Sequence, residues 1–387
     1  MRTIATRLFE LPFFWLFTAL FLTAVFAAIL LDLPILLLVP VLAIGIYLTI
    51  QDFRVPFYLL MVAIPMSTEI IVGGGIGMDF PSELVMLLVS GLVFFVVALK
   101  PHLLDIKFLK HPVVSIIILH WVWIFIAAVF ANDTLIAFKF FAAKTWYLLS
   151  FVLMASIVLQ TTKAQKICFW LMFTPLTLAV LFVLLKITMA NFDFAEVNKQ
   201  MHPFFRNKVV FGLYSVIFLP FAIASIGWYE KRSFKRIVII IGIAILVLGA
   251  IWSFTRAAHV GLFLIVVGVF VVRKKLLKWI TGFVLIVVVL LLSQYLQHDN
   301  YLKLAPDYEK TVEHKNFEDL MSATFKGQDV SSMERIYRWV AAFRMSDEKP
   351  ITGFGPGNFY SFYKSYTVTA FRTYVSRNPE RSSTHNY

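Results

Sequence analysis

Most of this chain consists of residues that do no chemistry, so the few that can are easy to find. Arg256, Arg335, Arg338 and His385 lie in its last third, and Lys139 and Lys144 sit further forward in an apolar run. Arginine stays charged at any physiological pH and offers a planar fork of donors to anionic oxygens. Histidine, with an unperturbed pKa of about 6.5, can take up or release a proton near neutrality. Other chemistries lack their residues. Cys168 is the only cysteine and sits among apolar neighbours, which rules out a disulfide framework and a cysteine metal site. No zinc-ligand spacing, P-loop or HExxH occurs. The turn from Gly353 is not a GxGxxG loop either, because Asn358 stands where the third glycine belongs.

The elements that must position these residues are membrane helices. Sixty per cent of the chain is hydrophobic, forty residues are Phe, and the mean hydropathy is +0.82. Apolar runs of about twenty residues, enough to cross a ~30 Å hydrocarbon core, recur along it. Spans are predicted near 13–31, 35–50, 55–72, 82–99, 112–131, 135–159, 167–189, 209–228, 237–254, 257–272 and 279–295. The predicted fold is therefore an all-α polytopic membrane protein of about eleven transmembrane helices, with the first span a retained helix and not a signal peptide. Residues 237–272 are apolar throughout except at Ser253-Phe254-Thr255-Arg256. One helix of that length would run roughly 54 Å, too long for one crossing, so two helices joined by a very short turn are expected.

Charge orients the bundle. Sixteen Lys and Arg fall on alternate connections, from Arg2 and Arg7 to Lys274, Lys275 and Lys278, while the intervening 32–34, 73–81 and 132–134 carry none. The positive-inside rule then puts the N-terminus in the cytoplasm and residues 296–387 outside. That outer segment holds twelve Lys and Arg against eleven Asp and Glu, only +1 of the chain's +13. The basic excess belongs to the cytoplasmic anchor pattern and faces anionic lipid headgroups, not nucleic acid. Two domains follow: a bundle over 1–295 and an outer loop over 296–387. Within the loop, Ser331-Ser332-Met333-Glu334 reads as a capping box. The helix after it would place Ile336, Trp339, Val340 and Phe343 on one stripe, with Arg335 and Arg338 beside it.

In their order these features resemble the O-antigen ligase and O-antigen polymerase superfamily (Wzy_C-like) of polytopic bacterial glycosyltransferases. The marks are Ser253-Phe254-Thr255-Arg256, where the family form is usually S-x-S-R, and Arg335-Ile336-Tyr337-Arg338-Trp339 in a large outer loop. Lys349-Pro350-Ile351-Thr352-Gly353-Phe354-Gly355-Pro356-Gly357-Asn358-Phe359 and the pair His385-Asn386 complete the set. The resemblance covers roughly residues 200–387. Family members normally continue past the His-Asn pair into further membrane helices, so a C-terminally truncated chain is expected.

The resemblance implies transfer of a glycan from a polyprenyl (undecaprenyl) diphosphate to an acceptor hydroxyl at the periplasmic face of the bacterial inner membrane. The first reading is O-antigen ligation onto lipid A-core; joining of O-antigen or exopolysaccharide repeat units is the alternative. It further implies an inverting, metal-independent reaction without a cofactor. His385 would be the base and Arg256, Arg335 and Arg338 the diphosphate ligands. Lys144, nine residues into its span and about 14 Å deep, is costly there unless paired or functional, and is added as a donor-phosphate contact. Blander roles stand beside these: a loop histidine for His385, snorkelling for Arg256 and Lys139, and a solvated face for Arg335 or Arg338. A transporter of lipid-linked glycan, using the same cations only to bind, is the alternative of another class. The missing internal repeat and the long outer segment count against it.

Overall fold

The computed structural model describes residues 11–72, 76–194, 196–296, 330–369, 372, 376 and 383. The chain is an all-α polytopic membrane protein. Its apolar helices are α1 (Leu11–Leu30), α2 (Leu38–Gln51), α3 (Val55–Met66), α4 (Ser82–Leu99), α5 (Pro112–Val129) and α6 (Thr134–Val158). They continue as α7 (Thr162–Met189), α8 (Lys208–Ser225), α9 (Phe234–Trp252), α10 (Arg256–Arg273) and α11 (Leu277–Leu296). Among the described residues, α4 to α11 are each long and apolar enough to cross a membrane. The apolar stretches of α1 to α3 are shorter. The long run 237–272 is indeed two helices, broken at Ser253-Phe254-Thr255.

One predicted span is cut short. The run 55–72 ends as a helix at Met66, with Pro65 inside it, and Thr68–Val72 becomes strand β1 paired antiparallel with β2 (Ile76–Phe80). Thr68, Ile70, Ile71 and Val72 are β-branched, and that composition favours the pleated backbone over the helix. Two helix starts that bear on the site are polar-capped. Asn207 Oδ1 accepts from the Val209 and Val210 amides at 3.0 Å each, and Asp133 Oδ1 from the Ile136 amide at 3.1 Å.

By its internal contacts the chain forms two units, 1–110 with 146–172 and 111–145 with 173–387. The second unit thus includes both α8 to α11 and the C-terminal segment. In the first unit Phe57, Leu60 and Met61 of α3 pack with Met86, Val89 and Val93 of α4 and Met154 and Val158 of α6. A π-turn over Leu149–Met154 of α6 lets the buried Ser150 hydroxyl donate to Met86 O at 3.0 Å and lie 3.0 Å from Ser90 Oγ. Buried polar groups in a membrane core need such internal partners.

The second unit is centred on α8, which lies against α9 and α10. Small residues make the approach possible, as is usual where membrane helices pack closely. A Cβ on Gly212 of α8 would stand 2.6 Å from Ser253 Oγ and 2.9 Å from Ala258 Cβ. The turn between α9 and α10 therefore rests on the first turns of α8. Gly212→Val should cost about 1–3 kcal/mol by overpacking and lower the thermal midpoint of the detergent-solubilised protein. Gly45→Val in α2, where a Cβ meets nothing within 4 Å, should leave that midpoint nearly unchanged.

Candidate active site

The turn after α9 is organised by its own polar groups. Ser253 is fully buried and donates to Ala250 O at 2.8 Å, and Phe254 takes a left-handed φ of 48°. Thr255 Oγ1 reaches Lys208 O at 3.2 Å, and His259 Nδ1 lies 2.8 Å from Thr255 O. Arg256 is then the first residue of α10 and is half-buried. Lys208 is the first residue of α8. The Thr255 bond thus brings two cationic helix starts to the same end of the unit.

Aromatic rings pack beside the Lys208 ammonium and the turn. The Lys208 ammonium stands 3.9 Å from the Phe194 ring centroid, and that ring meets Phe254 edge-on at 5.8 Å. Phe192 packs on Trp252 at 4.9 Å. Sequence reasoning singled out Arg256 but passed over Lys208 and its neighbour Arg206. Their signal was present in the connection 190–207: Lys199, Arg206 and Lys208 are basic residues on the side where the charge rule expects few. Lys199 is paired to Glu196 at 2.6 Å. Lys186 donates to His202 O at 2.8 Å, which suits an anchor.

The C-terminal segment is built on α12 (Val330–Glu348). Met333, Tyr337, Val340, Ala341 and Met345 form its buried face, with Phe354 and Tyr363 packed into the same cluster. The expected stripe is rotated, and Phe343 is 52% exposed. The capping box is also displaced. Ser331 already lies within the helix, and the Glu334 carboxylate is engaged elsewhere: it pairs with Arg338 at 3.5 Å and accepts from the Ser376 hydroxyl. Arg338 in turn donates to Ser383 O at 3.3 Å. Both ions are buried, whereas Arg335 is exposed. At the end of α12 the Tyr366 hydroxyl donates to Glu348, and that carboxylate pushes the phenol above its ordinary pKa.

After α12 the chain docks on the corner between α5 and α6. The Asn132 amide donates to Phe354 O at 3.1 Å, and Lys349 Nζ reaches Asn132 Oδ1 at 2.5 Å. Asn358, fully buried, donates to Phe354 O at 2.8 Å and Asp133 O at 3.2 Å. Lys144 lies about three turns further along α6, its ammonium 5.2 Å from the Phe140 ring centroid. The candidate cations therefore form two groups, one at the starts of α8 and α10 and one in the loop docked on α6. His385 lies outside the described residues.

Residues 241–386, under half of the chain, match the family model described as O-antigen ligase (Wzy_C). The match spans the α9–α10 turn, α12 and the docking turn, and supports a membrane glycosyltransferase or ligase in general terms. Such enzymes take a lipid-linked glycan and a glycan acceptor. No curated protein and no solved structure matches the chain.

The Glu334–Arg338 pair gives a direct test of how the loop is held. Removing one partner of a buried pair leaves an uncompensated charge, at a cost of about 3–5 kcal/mol, whereas replacing both costs much less. Arg338→Met should therefore destabilise the loop more than Glu334→Gln with Arg338→Met together. Limited proteolysis between α11 and α12 and after α12 would measure the order of the two.

Proposed function

We propose that this chain transfers a glycan from a polyprenyl diphosphate to an acceptor hydroxyl at the outer face of the bacterial cytoplasmic membrane. The preferred acceptor class is lipid A-core, as in O-antigen ligation. The observation that carries the reading is the juxtaposition of half-buried Arg256 with Lys208 through the Thr255–Lys208 contact, within the stretch that matches the ligase family.

The chemistry follows from charge. The acceptor oxygen bonds to the anomeric carbon as the bond from that carbon to the phosphate oxygen breaks, inverting the centre. The acceptor proton passes to His385, and the diphosphate departs with the bonding electrons. Negative charge thus grows on the leaving group. Arg256 and Lys208 stand where they can stabilise it without reorganising, which is the main source of electrostatic catalysis. Both begin helices, so their backbone amides add to the positive field. Exposed Arg335 is assigned to the diphosphate from the loop side, and Lys144 to a donor phosphate from within α6. Buried Arg338, expected from sequence as a further ligand, is assigned instead to holding the loop, because its charge is already answered by Glu334.

Orientation rests on the basic connections. The short helices α2 and α3 are consecutive, so whether that pair crosses or turns back, α4 begins on the same side. A cysteine at Ser365 should react with an impermeant thiol reagent in intact cells, and one at Ser233 should not. The reverse pattern would overturn the orientation.

Activity tests use purified protein, a defined polyprenyl-diphosphate glycan and an acceptor, reading polyprenyl diphosphate released and product formed. Lysine cannot reproduce the arginine fork. Loss of one charge-assisted bond, about 1.5–3 kcal/mol, should slow Arg256→Lys and Arg335→Lys by about tenfold to a hundredfold. Loss of a positioned base removes about 10²–10⁴ in rate, so His385→Ala and His385→Gln should fall that far while still binding donor. Full transfer by His385→Ala would remove the base from the scheme.

A further inference from the structure

The glycine-rich turn after α12 reads from sequence as a chain reversal or an anion nest, and its surroundings indicate a third role. Gly355 and Gly357 have φ of 100° and 79°, in the left-handed region that favours glycine. Their surroundings are as restrictive as their backbone. A Cβ on Gly355 would fall 2.2 Å from Ala131 Cβ and 2.8 Å from Ala131 Cα. One on Gly357 would fall 3.0 Å from Ile136 Cγ2 and 3.6 Å from Phe140 Cβ. Gly353 has a similar φ of 62°, yet a Cβ there meets nothing within 4 Å. The glycines at 355 and 357 are thus where the loop's backbone lies against the outer end of α6. Asn358 closes the contact: its buried amide bridges Phe354 O of the loop and Asp133 O of the helix.

We propose that this turn is the dock that fixes α12, and with it Arg335, relative to the membrane helices, and that Gly355 and Asn358 are positioning residues for glycan transfer. The proposal rests on the transferase reading. Its physical content is a close backbone contact in which the buried Asn358 side chain donates to both sides, beside the bonds from the Asn132 amide to Phe354 O and from Lys349 to Asn132. The loop's own core, Tyr337, Val340, Phe354 and Tyr363 among others, does not supply that connection. A loop folded on itself but undocked would carry Arg335 away from a donor held on α8 and α10. Below the dock, Phe140 carries the Lys144 ammonium on its ring, so docking also sets the loop over the one cation proposed within α6.

The test uses the full chain with Cys168→Ala and a single reporter thiol, Ile136→Cys, beneath Gly357. Asn358→Asp keeps the size of the side chain but turns a donor into a carboxylate facing two carbonyl oxygens. Gly355→Ala adds only a methyl group, and Gly353→Ala is the control with the same backbone demand and free space. With Gly355→Ala or Asn358→Asp, the reporter should react with an impermeant thiol reagent at least about tenfold faster, since reactivity tracks the open population. In the same variants the transfer rate should fall by a similar factor, while donor affinity falls by less, and no further than in Arg335→Lys. Gly353→Ala should change neither.

A reporter still shielded in both Gly355→Ala and Asn358→Asp would show that these residues do not hold the loop on α6, and an equally exposed reporter in the parent would show that no dock forms in the membrane. An exposed reporter with undiminished transfer would show that the dock positions nothing used in the reaction. A loss of donor affinity equal to the loss of rate would overturn the proposal too, because the change would then act on the bundle itself. Failure of the transferase reading is separately visible. The protein carrying only the reporter changes would transfer no glycan, yet its Ile136→Cys thiol would stay shielded.

Discussion

The end of the second unit at which α8 and α10 begin depends on one close approach, that of Gly212 in α8 to the turn between α9 and α10. The turn contains only three non-helical residues between two long apolar helices. In or near hydrocarbon its polar groups must find partners within the protein, since each one left unsatisfied costs several kcal/mol. They do so locally: Ser253 bonds Ala250, Thr255 bonds both Ser253 and Lys208, and His259 lies against Thr255. A side chain at 212 would separate the turn from α8 and break the Thr255–Lys208 contact. The small residue in one helix thus sets where the first residue of another begins.

That placement is electrostatically unfavourable, which is informative. Arg256 and Lys208 both start helices, where the macrodipole is positive and an anion would be stabilised by about 0.3–1 kcal/mol. Two cations there carry a penalty of comparable size, offset for Lys208 in part by the face of the Phe194 ring. A sequence selected for stability alone would place acidic residues at these positions. Departures from local rules of this kind are expected at functional sites. An incoming diphosphate would relieve the penalty and would gain the field of two helix ends.

Much of this was legible in the sequence, and unevenly so. The later membrane helices were plain because lipid imposes length and apolarity directly. The break at 253–255 was readable because no single helix of that length fits one crossing. The β1–β2 hairpin was missed because Thr68–Val72 is as hydrophobic as a helix end, and only its β-branched character distinguishes it. The stripe on α12 was rotated for a related reason. Ile336, Trp339 and Phe343 are the larger apolar residues, but the face actually buried is chosen by Phe354 and Tyr363, which arrive later in the chain. Lys208 was overlooked because its importance lies in a contact across 47 residues, which no local pattern encodes.

Three arginines of one residue type were treated alike from sequence, and burial separates them. Arg335 and Arg338 are three apart on one helix, yet the first faces water and the second is buried against Glu334 and Ser383. A guanidinium committed to a buried carboxylate cannot turn to a phosphate without leaving Glu334 unpaired, a loss of several kcal/mol that the phosphate contact would first have to offset. Arg256 is intermediate: its backbone is fixed by the turn, while its half-exposed side chain remains accessible. The spacing R-x-x-R cannot distinguish a ligand from a brace, because both need a cation on that part of the helix. What sets Arg338 apart from Arg335 is the acidic residue one turn back from it. Its place in the sequence, Glu334, reads equally well as half of a capping box until Ser376 and Arg338 are seen to share it.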